Sequence, residues 1–130
     1  MSAISSEALA RRLADLADSK KAEEVVVLDM RGLVAYTDFL VICTARNERQ
    51  ARAVVDEARV KIKADTGLVP SGSDRGGGDA DWIILDYLDC VFHIFTREAR
   101  DRYQLEDLWR EAPRLELDLA APEASSAASA

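Results

Sequence analysis

Asp79, Asp81, Asp86 and His93 are the residues of this chain whose types and spacing could do chemistry. Gly72-Ser73 followed by Asp79-x-Asp81 has the outline of a two-metal phosphoryl-transfer site, where paired carboxylates hold two Mg²⁺ ions. His93, the only histidine, is a candidate general base with Asp86 as its orienter. The glycines of SGSDRGGGDAD (Ser71 to Asp81) could cradle a phosphate with backbone N–H groups. Each has a plainer reading. Neither standard glycine-rich nucleotide fingerprint is present and no helix follows the loop, so a flexible connection is expected. Only five residues lie between Ser73 and Asp79, too few for the helix that separates the Gly-Ser turn from the carboxylate strand in two-metal enzymes. A lone histidine, with no second histidine for a zinc site and no nucleophile beside it, is expected to be structural or an interface hydrogen-bonder.

The element that must position His93 is the stretch Asp81 to Thr96, DWIILDYLDCVFHIFT. It reads as two strands joined by a tight turn at Leu88-Asp89, both rich in β-branched and aromatic residues. That turn pairs Tyr87 with Cys90, Asp86 with Val91, Leu85 with Phe92, Ile84 with His93, Ile83 with Ile94 and Trp82 with Phe95. Side chains alternate faces along a strand, and opposed residues share a face. Ile83, Leu85, Tyr87, Cys90, Phe92 and Ile94 then form a core face. Trp82, Ile84, Asp86, Val91, His93 and Phe95 form the other. A face mixing aromatic rings, a carboxylate and the histidine suits neither a dry core nor a plain solvated surface, and reads as a docking place for another macromolecule.

The rest of the chain supplies the frame. Ser5 or Ser6 caps a helix to about Lys20, with Leu9, Leu13, Leu16 and Ala17 as its apolar stripe. Glu23 to Met30 is a strand, and Phe39 to Thr44, almost without polar interruption, is a second strand buried on both faces at the sheet centre. Asn47 caps a long helix with Gln50 in capping-box position; Ala51, Val54, Val55, Ala58 and Ile62 form its buried stripe, and Gly67 ends it. A short helical segment follows Thr96. The order α-β-β-α-β-β-α predicts an α/β fold, a small mixed β-sheet flanked by helices packed chiefly on one face. Residues 1–117 are expected to form one domain, and 118–130 a disordered Ala/Ser-rich tail.

Composition narrows the partners. At 130 residues with 48% apolar and 32% charged content, the chain is a single globular domain with a core of its own. No apolar run is long enough to span a bilayer, and no secretory or transit segment is evident, so a cytoplasmic protein is expected. Cys43 and Cys90 lie in apolar strands and read as small core residues. A net charge of −7 disfavours extensive direct nucleic-acid binding and favours a basic protein partner.

Several separated strings together carry a family resemblance: KKAEEVVVLDMRGL (Lys20 to Leu33), TDFLVICTA (Thr37 to Ala45), RQARAV (Arg49 to Val54), DWIILDYLD (Asp81 to Asp89), VFHIF (Val91 to Phe95) and EARDRYQLEDLW (Glu98 to Trp109). In these the chain resembles the Iojap family, also called ribosomal silencing factors. Leu88 departs from it, standing where the family usually has a turn glycine. The resemblance implies a fold similar to a degenerate nucleotidyltransferase, without its catalytic apparatus or a cofactor. It implies an adaptor that binds the large ribosomal subunit through protein L-fourteen, blocks subunit joining and lowers translation when nutrients are scarce. It also implies a homodimer when free. The residues expected at the centre of the partner interface are Trp82, Asp86, His93 and Phe95, with Arg100 and Tyr103 at its edge. The competing readings are a metal-dependent nucleotidyltransferase using Asp79 and Asp81, and a dimeric interaction module unconnected to the ribosome.

Overall fold

The computed structural model describes residues 4–71, 73–75, 82–103 and 110–117. In chain order they form α1 (Ser6–Ser19), β1 (Glu23–Asp29), β2 (Phe39–Ala45), α2 (Glu48–Thr66), β3 (Ser73–Arg75), β4 (Trp82–Asp86), β5 (Cys90–Thr96) and α3 (Arg97–Tyr103). The five strands make one sheet in the order β1-β2-β5-β4-β3. β2 and β5 are parallel and the other neighbours antiparallel. This is the expected α/β arrangement with one addition. Ser73–Arg75 is a short strand paired with β4, inside the segment read as a flexible connection. Three ladder pairs, Ser73 with Leu85, Asp74 with Ile84 and Arg75 with Ile83, give it an extended partner that its polar sequence does not advertise.

Both principal helices start and stop where their sequence dictates. The Ser5 hydroxyl accepts from Ala8 N at the start of α1, and the Asn47 side chain accepts from Gln50 N at the start of α2. Gln50 departs from the simple capping box: its Oε1 accepts from the N–H of Arg46, and its Nε2 donates to the carbonyls of Lys20 and Lys21 at 3.0 and 2.9 Å. One side chain thus ties the start of α2 to the end of α1. Gly67 closes α2 at φ 80°, its N–H bonding Lys63 O. At the end of α1, Ala22 N reaches Ala17 O and Lys21 N reaches Asp18 O, a Schellman ending with Lys21 at φ 68°.

α1 and α2 cover one sheet face. There Leu9, Leu13 and Leu16 of α1 and Val54, Ala58 and Ile62 of α2 meet Val41, Leu85, Phe92 and Ile94 of the sheet. β2 is buried along its whole length, as expected of a central strand. A smaller cluster lies on the opposite face, where Ala99 of α3 and Ala112 pack on Leu28, Met30, Leu40, Ile42 and Phe95. The chain returns beside the outer edge of β1: Asp29 N donates to Pro113 O, and Leu115 N donates to Val27 O. The expected tail, 118–130, lies outside the described residues. Among the described residues no helix is long and apolar enough to cross a membrane.

Candidate functional site: the open face of the β4–β5 hairpin

The hairpin register is the one its turn predicts. Trp82 faces Phe95, Ile83 faces Ile94, Ile84 faces His93, Leu85 faces Phe92 and Asp86 faces Val91. Tyr87 N bonds Cys90 O, and the Asp86 carboxylate accepts from Leu88 N, forming an Asx-type turn. Leu88 itself is held at φ 74°, the left-handed region where a glycine is comfortable. Alternation then sends Ile83, Leu85, Cys90, Phe92 and Ile94 into the core under α1 and α2. Trp82, Ile84, Asp86 and Val91 remain half-buried on the other face.

Three rings are organised on that face. Trp82 stacks on Phe95 with centroids 5.0 Å apart, and its indole Nε1 donates to His93 Nδ1 at 3.0 Å. His93 and Phe95 lie nearly parallel, 6.2 Å apart. The histidine is thereby oriented by Trp82. Asp86, its expected orienter, shares the face but gives one carboxylate oxygen to the turn. His93 is 8% exposed, and burial pushes its pKa down to about 4, so the ring is neutral at physiological pH. A general base so far below neutrality is a poor proton acceptor.

Three of the residues expected to touch a partner have interior positions, His93 among them. Phe95 is 0% exposed and supports Trp82 from below. Arg100 is 5% exposed and donates from Nη1 to Thr44 Oγ1 at 2.7 Å, pinning α3 against β2. For Phe95 and Arg100 the reason is α3, whose Ala99 roofs this end of the face and carries Arg100 inward with it. Tyr103 is the last residue of α3, and its side chain lies outside the described residues. Val34, from the β1–β2 loop, packs against the same cluster as Trp82 and Val91. Nothing in its local sequence marks it, because a loop residue has no periodicity to read.

The nucleotidyltransferase motif falls on Gly72, Asp79 and Asp81, which lie outside the described residues, and on Ser73, which begins β3. Among the described residues no group of three or more His, Cys, Asp or Glu could hold a metal ion. Burial raises both thiols to about 12, and Cys90 donates to Ser6 O, consistent with core roles. A cavity of about 600 Å³ opens at the carboxyl ends of β2 and β5 between Arg46–Glu48 and Thr96–Glu98. Its two arginines are opposed by Glu48 and Glu98, and Arg97 is already engaged by Glu23 and Glu24, so no single ligand charge is selected.

Comparison with known proteins gives this face its context. The family model described as "Ribosomal silencing factor during starvation" matches residues 3–130. The ribosomal silencing factor RsfS of Halalkalibacterium halodurans is 35% identical over 115 residues, covering 88% of this chain and 97% of the relative. The chloroplastic protein Iojap of Arabidopsis thaliana is 34% identical over 110 residues, covering 85% of this chain and 45% of that longer protein. A solved structure from Chromobacterium violaceum superposes with a TM-score of 0.76 at 23% identity, covering 91% of this chain and 94% of that one, and shares the fold. The mixed sheet, the hairpin and the matching sequence agree: the chain belongs to the ribosomal silencing factor family.

Proposed function

We propose that this protein binds the large ribosomal subunit through protein L-fourteen and, seated on the surface that meets the small subunit, sterically blocks subunit joining when nutrients are scarce. The observation that carries the reading is the half-open face of β4 and β5, where Trp82, Ile84, Asp86 and Val91 present apolar area beside one carboxylate in a family of ribosomal silencing factors. A net charge of −7 favours a basic protein partner and discourages adherence to rRNA phosphates. The protein acts in the cytoplasm as an adaptor with no chemistry of its own, and is a homodimer when free. Trp82 and Asp86 are the expected contact residues, His93 and Phe95 sit beneath or beside them, and Arg100 and Tyr103 belong to the flanking helix.

Co-sedimentation with isolated large subunits, small subunits and joined ribosomes tests this. Binding to large subunits alone, with fewer joined ribosomes as protein is added, supports it; absence of binding to any particle rejects it. Trp82→Ala is expected to weaken large-subunit binding by on the order of 2 kcal/mol, the size of an interface hot spot. Unchanged binding by a folded Trp82→Ala protein would remove this face from the interface.

A further inference from the structure

The Trp82–His93 hydrogen bond fixes more than ring orientation. An indole N–H can only donate, so His93 Nδ1 must be bare and accept. A bare Nδ1 leaves the imidazole's single proton on Nε2. That nitrogen has no hydrogen-bond partner among the described residues, where the one wholly enclosed side-chain oxygen or nitrogen without a partner is the Tyr87 hydroxyl, and His93 keeps 8% of its exposure. The ring is flanked by apolar neighbours, with Ile42 opposite on β2 and Ile84 opposite on β4. The low pKa of His93 accords with this neutral form.

We infer that His93 is a specificity-determining residue, whose Nε2–H donates to a neutral carbonyl oxygen of the protein that docks on the β4–β5 face. The inference rests on the proposed use of that face for docking. An apolar partner surface laid over an N–H that has lost its water leaves a donor unsatisfied, so a partner without a matching acceptor is rejected. A carboxylate acceptor is disfavoured by Asp86 on the same face and by the net charge of −7. An amide or backbone carbonyl fits both constraints. Trp82 then acts twice, as contact area and as the group that sets the tautomer of its neighbour.

Two substitutions separate the nitrogens. His93→Asn keeps an acceptor near Nδ1 for Trp82 and removes the outer donor; His93→Gln places an amide N–H₂ near Nε2. In equilibrium binding of the full chain to isolated large ribosomal subunits, His93→Asn is expected to lower affinity about tenfold, and His93→Gln to recover most of that loss. The reverse order, or equal affinity for all three proteins, would overturn the inference, as would equal loss in two folded variants, which would assign the role to the ring. A second arm needs no ribosome. Because the chain has one histidine, a long-range ¹H–¹⁵N spectrum at neutral pH reports one imidazole, expected as the Nε2–H tautomer. An Nδ1–H tautomer or an imidazolium would sink the inference even where large-subunit binding holds. A wild-type protein that shows the Nε2–H tautomer but no subunit binding would instead refute the docking partner, and with it the role assigned to the donor.

Discussion

Three described residues other than glycine, Lys21, Glu24 and Leu88, carry backbone geometry that their side chains disfavour. Leu88 in the β4–β5 turn and Lys21 after α1 both have left-handed φ, at 74° and 68°. In each case a Cβ crowds the following carbonyl, at a cost of about 1 kcal/mol or more that glycine avoids. Leu88→Gly and Lys21→Gly are each expected to raise unfolding stability by about 1 kcal/mol, read as a higher denaturant midpoint; a fall in the midpoint for either would show that its side chain compensates by contacts. His93 sets a pH dependence of opposite interest. Its folded pKa, about 4, lies below the ordinary value of 6.5, so the unfolded chain binds the proton more readily. Stability is unaffected by this group above that ordinary value and falls as pH drops from about 6.5 toward 4, by on the order of 3 kcal/mol. His93→Gln should flatten that slope in denaturation curves taken across the window.

Among the elements, α1 and α2 share apolar packing and the Arg12–Asp65 ion pair, and Gln50 adds a tie between the end of one and the start of the other. Gln50 satisfies one N–H and two carbonyls, all at helix ends that have no intrahelical partner. Gln50→Ala is expected to cost about 2 to 3 kcal/mol, against about 1 kcal/mol for Asn47→Ala, which loses one cap bond. Chemical denaturation of the two variants would reveal whether Gln50 is the larger tie. The sequence showed the cap, through Asn47 and Gln50 three residues apart, but not its distant partners, since Lys20 and Lys21 are brought near only by tertiary packing. The hairpin was legible in full, because a two-residue turn between alternating strands leaves one register. β3 was not legible: three polar residues gain their strand character solely from β4 beside them. The site was half legible for a related reason. Alternation assigns Phe95 and His93 to the outer face correctly, yet it cannot say that α3 folds back to bury Phe95 or that Trp82 closes beside His93. Arg100 follows the same logic: expected at the edge of the partner interface, it is turned by α3 toward Thr44.

For the molecule as a whole, charge and topology make separate demands. On the proposed function, an acidic chain approaching a basic partner is steered by fields that salt screens, so its association with large subunits is expected to slow several-fold from about 0.05 to about 0.3 M salt while dissociation changes less. Stopped-flow association rates would check this, and a rate insensitive to salt would argue for an apolar encounter. Topology bears on synthesis. The central parallel ladder joins Phe39–Ala45 to Cys90–Thr96, two strands separated by α2, β3 and β4. A ribosome making this protein releases β2, an apolar strand meant for burial on both faces, well before its inner neighbour exists. The nascent chain must hold that strand without its partner until the hairpin arrives, because contacts so distant in sequence form late and slowly. The chain therefore spends its synthesis with an apolar strand waiting for its inner neighbour, and pauses placed between β2 and β5 would lengthen that exposure.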